Sequence, residues 1–238
     1  MSSNVLLKPT SLYTLFGTLP GEHYLHPALI DFYKNDPSLE QQWRGIILFG
    51  KNSASYKFAF AKSLLILAEE GRSHVSLQDL AIPFSSEIVN HLKEHRKQGT
   101  SNSSKFLETC QAYIRGDIGK DKLHEETAKL GFVNVIDAFH NIHGEVIPNP
   151  FYTKDYSRNG KRLILTDELF KLAETPQFHN LMPEAAARWS LVETAWNLDL
   201  NKRLIQVQHD AQNELLFLQS SEMRRIDVSS ARDALNGY

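Results

Sequence analysis

WRGIILFGKNSASYKFAFAKSLLILA, residues 43–68, is the stretch on which the fold turns. Gly45 is followed by Ile46, Ile47, Leu48 and Phe49, and then by Gly50, Lys51 and Asn52. That spacing lies one residue from a phosphate-binding P-loop. A P-loop wraps several backbone amides around phosphate, however, and needs small residues between its glycines. Here the intervening side chains are large and apolar, Asn52 stands where a hydroxyl would hold magnesium, and the upstream PSLEQQW is not a buried strand. The stretch therefore predicts an apolar helix broken at Gly50, with Asn52 or Ser53 capping a second helix that runs to about Gly71. Ala54, Phe58, Ala61, Leu65 and Ala68 form one face of it, and Phe60, Leu64 and Leu67 another. A helix apolar on several sides sits at the centre of its domain.

Working outward, Ser76 with Asp79 opens a further helix, expected to reach about Gln98 with Pro83 as a candidate break. GTSNSS is a polar loop, and helices are predicted near residues 106–114 and 121–130. After Gly131 the texture changes. FVNVIDAFHNIHG is ambiguous between helix and strand, while EVIPNPFY and KRLILTDE have strand-like cores between turn residues. Thr166 caps a short helix, MPEAAARWSLVETAWNL is an amphipathic helix, and RLIQVQHDAQNELLFLQ predicts a hairpin around Asp210 and Asn213. Short helices are expected in HPALIDFYKND and SSARDALNGY. The fold class expected is mainly α with a small β-sheet (α+β), as a helical lobe over 1–130 and a mixed lobe over 131–238.

Composition narrows the function classes. The 238 residues carry 26 Lys and Arg against 28 Asp and Glu, a net charge of −2, so affinity for nucleic acid must come from local patches. One cysteine, Cys110, excludes an internal disulfide and any multi-cysteine zinc site within the chain. The N-terminal residues lack the basic start and apolar core of a signal peptide, and no apolar run approaches the roughly 18 residues of a membrane span. A cytoplasmic location with no membrane partner is the expectation.

Two segments have the chemistry of phosphate contact. The helix restart after Gly50 presents Lys51, Asn52, Ser53 and Ser55, with Lys57 one turn on; free amides beside a lysine hold anions. No Asp or Glu occurs from Gln41 to Ala68, while Arg44, Lys51, Lys57 and Lys62 do. The same lysines also fit a buried helix whose cations snorkel to the surface. The second segment, HRKQGTSNSSK, places Arg96, Lys97 and Lys105 around Thr100, Ser101, Asn102 and Ser103. Hydroxyls, amides and pliant backbone suit phosphates and base edges, and equally a solvated loop. Arg224 and Arg225 can contact a nucleic-acid backbone or pair with Glu222 and Asp227. Asp137, His140 and His143 share a spacing that suits one helical face, but an HxxH pair without further ligands is weak for metal. No strand-elbow places Ser, His and Asp as a hydrolase triad, and Cys110 reads as a small core residue. No catalytic and no metal residue is assigned.

The segments RGIILFGKNSASYKFAFAKSLLILA, GTSNSSKFLETC, GFVNVIDAFHNIHG, ARWSLVETAW and RRIDVSSARDALNGY together resemble a family of bacterial HNH endonucleases, over about residues 43–238. In that family the RDALNGY-like helix leads into a Cys-rich, His-containing nuclease module. No position of this chain matches that module, so its catalytic and zinc residues are not carried over. Zinc or magnesium is expected only in the module, and no cofactor in these residues. The resemblance implies a DNA-binding and positioning portion, with DNA, guide RNA and other subunits of a CRISPR-type defence complex as partners. A module that docks on another defence subunit without touching nucleic acid is the alternative.

Overall fold

The computed structural model describes residues 38–50, 52–101, 103–142, 145–157 and 160–198, and the strands at 13–14, 206–210 and 215–219. Helix α1 (Leu39–Phe49) is capped by Ser38, whose hydroxyl accepts from Gln41 N at 3.3 Å. It ends at Gly50, where the backbone turns extended and the Gly50 amide donates to Ile46 O at 3.1 Å. A Cβ on Gly50 would lie 2.6 Å from Ile46 O, so the break requires glycine. Residues 45–49 are helical, and Ile46 and Ile47 are buried in the core. The P-loop geometry is thereby excluded.

Helix α2 (Tyr56–Glu69) starts later than Asn52 or Ser53, because Ser55 N is engaged by the carbonyl of Gln98 at 3.0 Å. Its Phe58, Ala59, Phe60, Ala61, Leu64 and Leu65 are all buried, as expected of a central helix. It stops at the predicted glycine: Gly71 adopts φ +70°, a conformation that carries a steric penalty for any side chain. Strand β2 (His74–Ser76) leads into α3 (Leu77–Glu94). Ser76 Oγ accepts from Asp79 N at 3.0 Å and donates to Asp79 Oδ2 at 2.7 Å, closing the predicted cap.

Pro83, a candidate break in the sequence, lies inside a continuous helix, which ends at Glu94 rather than near Gln98. Proline in a helix interior costs about 3 kcal/mol, and burial of Leu80, Phe84 and Ile88 on the same helix outweighs it. Helices α4 (Lys105–Arg115) and α5 (Lys120–Leu130) follow at the predicted positions, and α4 ends on Gly116 with φ +82°. The ambiguous segment after Gly131 resolves into a short helix α6 (Val135–Ala138) and β3 (Asn141–Ile142), paired with β4 (Glu145–Val146).

Strands β5 (Tyr152–Ser157) and β6 (Gly160–Leu165) form an antiparallel hairpin, and β2 adds to its other edge in the order β2-β6-β5. Helix α7 (Asp167–Ala173) precedes α8 (Phe178–Asn197), which packs on α1 and α2. The architecture is mainly α with a small antiparallel sheet. The sheet crosses the lobe boundary expected at residue 130, because Val75 in β2 pairs with Leu163 in β6. One apolar core runs from Trp43 to Trp196. Edge-to-face contacts of Trp43 with Phe151 at 5.1 Å, and of Phe60 with Phe139 at 5.0 Å, tie the helices to the segment before the sheet.

Strand β1 (Tyr13–Thr14) pairs with β7 (Gln206–Asp210), which pairs antiparallel with β8 (Leu215–Gln219). The register Asp210↔Leu215 is that of the predicted hairpin. The helices expected in HPALIDFYKND and SSARDALNGY lie outside the described residues. No helix among the described residues is long and apolar enough to cross a membrane.

Candidate nucleic-acid interface

The two candidate segments, distant in sequence, meet in space. Ala54 and Gly99 form an isolated antiparallel bridge. Ser55 N donates to Gln98 O at 3.0 Å, and Thr100 donates to Ser53 O through its amide at 2.9 Å and its hydroxyl at 3.2 Å. Gly99 permits this approach, since a Cβ there would lie 3.2 Å from Ser53 O. One turn on, Tyr56 OH and Ser104 Oγ lie 2.7 Å apart, joining the start of α2 to the N-cap of α4. The positive ends of two helices thus open beside one another. Ser53, Arg96, Thr100, Ser101, Ser103 and Lys105 are exposed around this junction. Ser101 Oγ accepts from Ser103 N at 3.3 Å and donates to Ser103 O at 2.9 Å.

Three of the expected contacts are not at the surface. Asn52 and Ser55 are buried, at 4% and 0% exposure. Lys57 is a correction to the sequence expectation: at 7% exposure it neither snorkels nor faces a ligand. Its Nζ donates to Gly50 O at 2.7 Å and Ile47 O at 3.1 Å, capping the C-terminal carbonyls of α1. Arg188 of α8 adds a donor to Leu48 O at 3.2 Å. Burial and then the Arg188 charge hold the Lys57 amine well below its ordinary range. Lys97 is half-buried. Lys51, Asn102, Arg224 and Arg225 lie outside the described residues.

The acid-free run in the sequence is neutralised by acids from elsewhere. Arg44 forms a two-pronged pair with Glu184, Nε to Oε2 at 2.9 Å and an NH2 group to Oε1 at 3.0 Å, joining α1 to α8. Lys62 pairs with Glu87 across α2 and α3. Neither supplies a free cation to a surface patch.

Beneath the junction lies a buried polar cluster that sequence reasoning missed. Glu193 on α8 is fully buried, and its Oε1 lies 2.9 Å from His91 Nδ1 and accepts from Gln98 Nε2. Trp189 Nε1 donates to Gln98 Oε1 at 3.0 Å, which fixes the orientation of the Gln98 amide. Gln98 Nε2 also donates to His95 O at 2.9 Å, and His95 Nε2 stands 3.8 Å from Glu193 Oε2. The His91 and Trp189 rings stack at 3.5 Å, and Trp189 stacks on Phe58 at 6.0 Å. The only sequence cue was a carboxylate four residues after Trp189, on the apolar stripe of α8.

The remaining candidates are structural. His140 Nε2 accepts from Phe151 N at 3.0 Å, and burial pushes the imidazole down to about 4. Asp137 pairs with Lys154 at 2.5 Å, and His143 lies outside the described residues. Among the described residues no group of His, Cys, Asp and Glu is placed to hold a metal ion. Cys110 is buried, its thiol pushed up to about 12. Trp189 and Trp196 are core residues.

A cavity of about 470 Å³ lined by Arg72, Tyr113, Lys120 and His124 lies elsewhere, as does a groove of about 1190 Å³ lined by Val133, Ile136, Tyr156 and Lys161. Neither includes a residue of the junction. Comparison of the chain with protein-family models, with curated proteins and with solved structures finds no match in any of the three.

Proposed function

We propose that the chain binds and positions DNA for an HNH-type antiviral nuclease, as a subunit of an RNA-guided complex. The observation that carries this reading is the Ala54–Gly99 bridge, which brings the Ser53 hydroxyl of one segment beside the hydroxyls of Thr100, Ser101 and Ser103 and the basic side chains of Arg96 and Lys105 of the other. Ser53, Thr100, Ser101 and Ser103 are hydrogen-bonding groups of the kind that contact phosphates and base edges, and Lys105 and Arg96 add charge. The net charge of −2 is compatible with a subunit that reads a short motif while guide pairing supplies most of the sequence specificity.

Fluorescence-anisotropy titration of duplex DNA at several salt concentrations tests this, on the chain and on its assembled complex. Salt-dependent binding weakened by Thr100→Ala and by Lys105→Ala is the expected result. Absence of binding in both states would remove the reading.

The alternative, a module that docks on another defence subunit, has its own observation. Val133, 66% exposed, and Tyr156, 48% exposed, line the larger groove. Loss of complex assembly on Val133→Asp, with no DNA binding by the parent chain or by its complex, would favour that reading.

A further inference from the structure

We infer that Glu193 and Gln98 form the positioning pair of the candidate surface, locking the 98–100 segment to α8 so that Ser53 and Thr100 are held in one fixed arrangement. Gln98 is the only residue of that segment whose side chain the described contacts anchor in the core: it meets Glu193 and Trp189 of α8 and the His95 carbonyl. Its own backbone carbonyl accepts from Ser55 N, and the next two residues make the bridge to Ala54 and the bonds to Ser53. The order of contacts is therefore Glu193, Gln98, Ser55, and then the exposed pair of Ser53 and Thr100.

A fully buried carboxylate is tolerated only where donors surround it. Glu193 has His91 and Gln98 on Oε1 only; Oε2 is buried without a hydrogen-bond partner, with His95 Nε2 3.8 Å away, so the carboxylate depends on those two groups. Moving Gln98 outward would strip the carboxylate of a donor and leave Trp189 Nε1 without its acceptor. Both losses oppose displacement of the segment. Preorganisation of this kind lowers the ordering cost of binding. Neither residue touches the ligand; both act through the backbone of residues 98–100.

The test is a reciprocal exchange. Gln98→Glu places two carboxylates against each other. Combining it with Glu193→Gln restores one carboxylate and one carboxamide with the donor reversed, and the carboxylate introduced by Gln98→Glu still accepts from Trp189. Hydrogen exchange of the Ser55 and Thr100 amides reports the position of the segment without any ligand. In Gln98→Glu these amides should exchange on the order of tenfold faster, while those of α2 and α3 keep their protection. In the double variant they should recover only part of that loss, because the His95 carbonyl still lacks the donor that Gln98 supplied.

Unchanged exchange in Gln98→Glu, or no recovery in the double variant, overturns the inference. Gln98→Ala serves if Gln98→Glu does not fold; it should lose the same protection, and Glu193→Gln should not restore it. Duplex-DNA affinity is the second readout, and only this step rests on the functional reading above. It should fall in Gln98→Glu and recover in part in the swap. Faster exchange with unaltered affinity would overturn the positioning role. A parent protein that binds no DNA would instead refute the functional reading and leave the exchange result to decide the pair.

Discussion

Lys57, the second residue of α2, reaches back across the helix break to donate to the carbonyl of Gly50 at 2.7 Å. A cation that sequence reading assigns to a ligand thus serves as the C-terminal cap of the preceding helix. The folded protein holds the Lys57 amine well below 10.5, through burial first and Arg188 second. The folded state therefore binds fewer protons than the unfolded chain between those two values. The contribution of Lys57 is most favourable above pH 10.5 and is lost as the pH falls through the folded value. Lys57→Met should remove this alkaline rise, which chemical denaturation of both proteins from about pH 7 to the ordinary lysine range would measure.

Gly50→Ala tests the same junction from the other side. The added Cβ would sit 2.6 Å from Ile46 O and 3.3 Å from the Lys57 side chain. A loss of about 1–3 kcal/mol is expected from urea unfolding. A neutral outcome would mean the α1–α2 break is free to shift.

His140 predicts an acid limb. Its imidazole is held neutral at about 4 by burial and accepts the Phe151 amide. Because the unfolded histidine titrates near 6.5, stability falls as the pH drops from about 6.5 to about 4, by on the order of 2–3 kcal/mol. His140→Gln should flatten that part of the profile relative to the parent, with a lower plateau at neutral pH.

Glu184→Ala leaves the Arg44 guanidinium without its carboxylate in a site where both side chains are about one-tenth exposed. Removing one partner of such a pair costs about 2–4 kcal/mol. Thermal unfolding of Glu184→Ala beside Arg44→Met/Glu184→Leu would show the single variant to be the worse of the two.

On the DNA-binding function proposed above, base readout and phosphate contact would separate within the loop. Lys105→Ala should weaken DNA binding evenly across sequences and lower the salt slope by roughly one. Asn102→Ala should instead change which sequences are preferred. Equal losses on every sequence for both variants would place Asn102 away from the bases.

Much of the fold was legible because it is local. Ser76 announces its helix through a side-chain cap within three residues and Gly71 announces an end; Ser38, Ser104 and Gly116 do the same in the structure, although sequence reading does not single them out. What the sequence concealed is long-range. The start of α2 moved from Asn52 to Tyr56 because a strand-like bond from Gln98, far along the chain, occupies Ser55. The apparent basic run around Arg44 and Lys62 lost its charge to Glu184 and Glu87, neither of which periodicity could pair with it. Lys57 was misassigned because carbonyls carry no signature in sequence. The two polar segments were legible as chemistry, whereas their meeting at Ala54 and Gly99 was not.

The link between Gln98 and Glu193 spans 95 positions, so it bears on the order in which the molecule assembles during synthesis. The α2–α3 helical hairpin can form as soon as it leaves the ribosome, since its contacts are close in sequence. Gln98 has to wait for α8, far later in the chain. Until Glu193 emerges, the 98–100 segment has no buried anchor, and the exposed edge at Ser53 and Thr100 has no fixed shape. The nascent chain thus holds its helical hairpin well before the Ser53–Thr100 edge is anchored to α8.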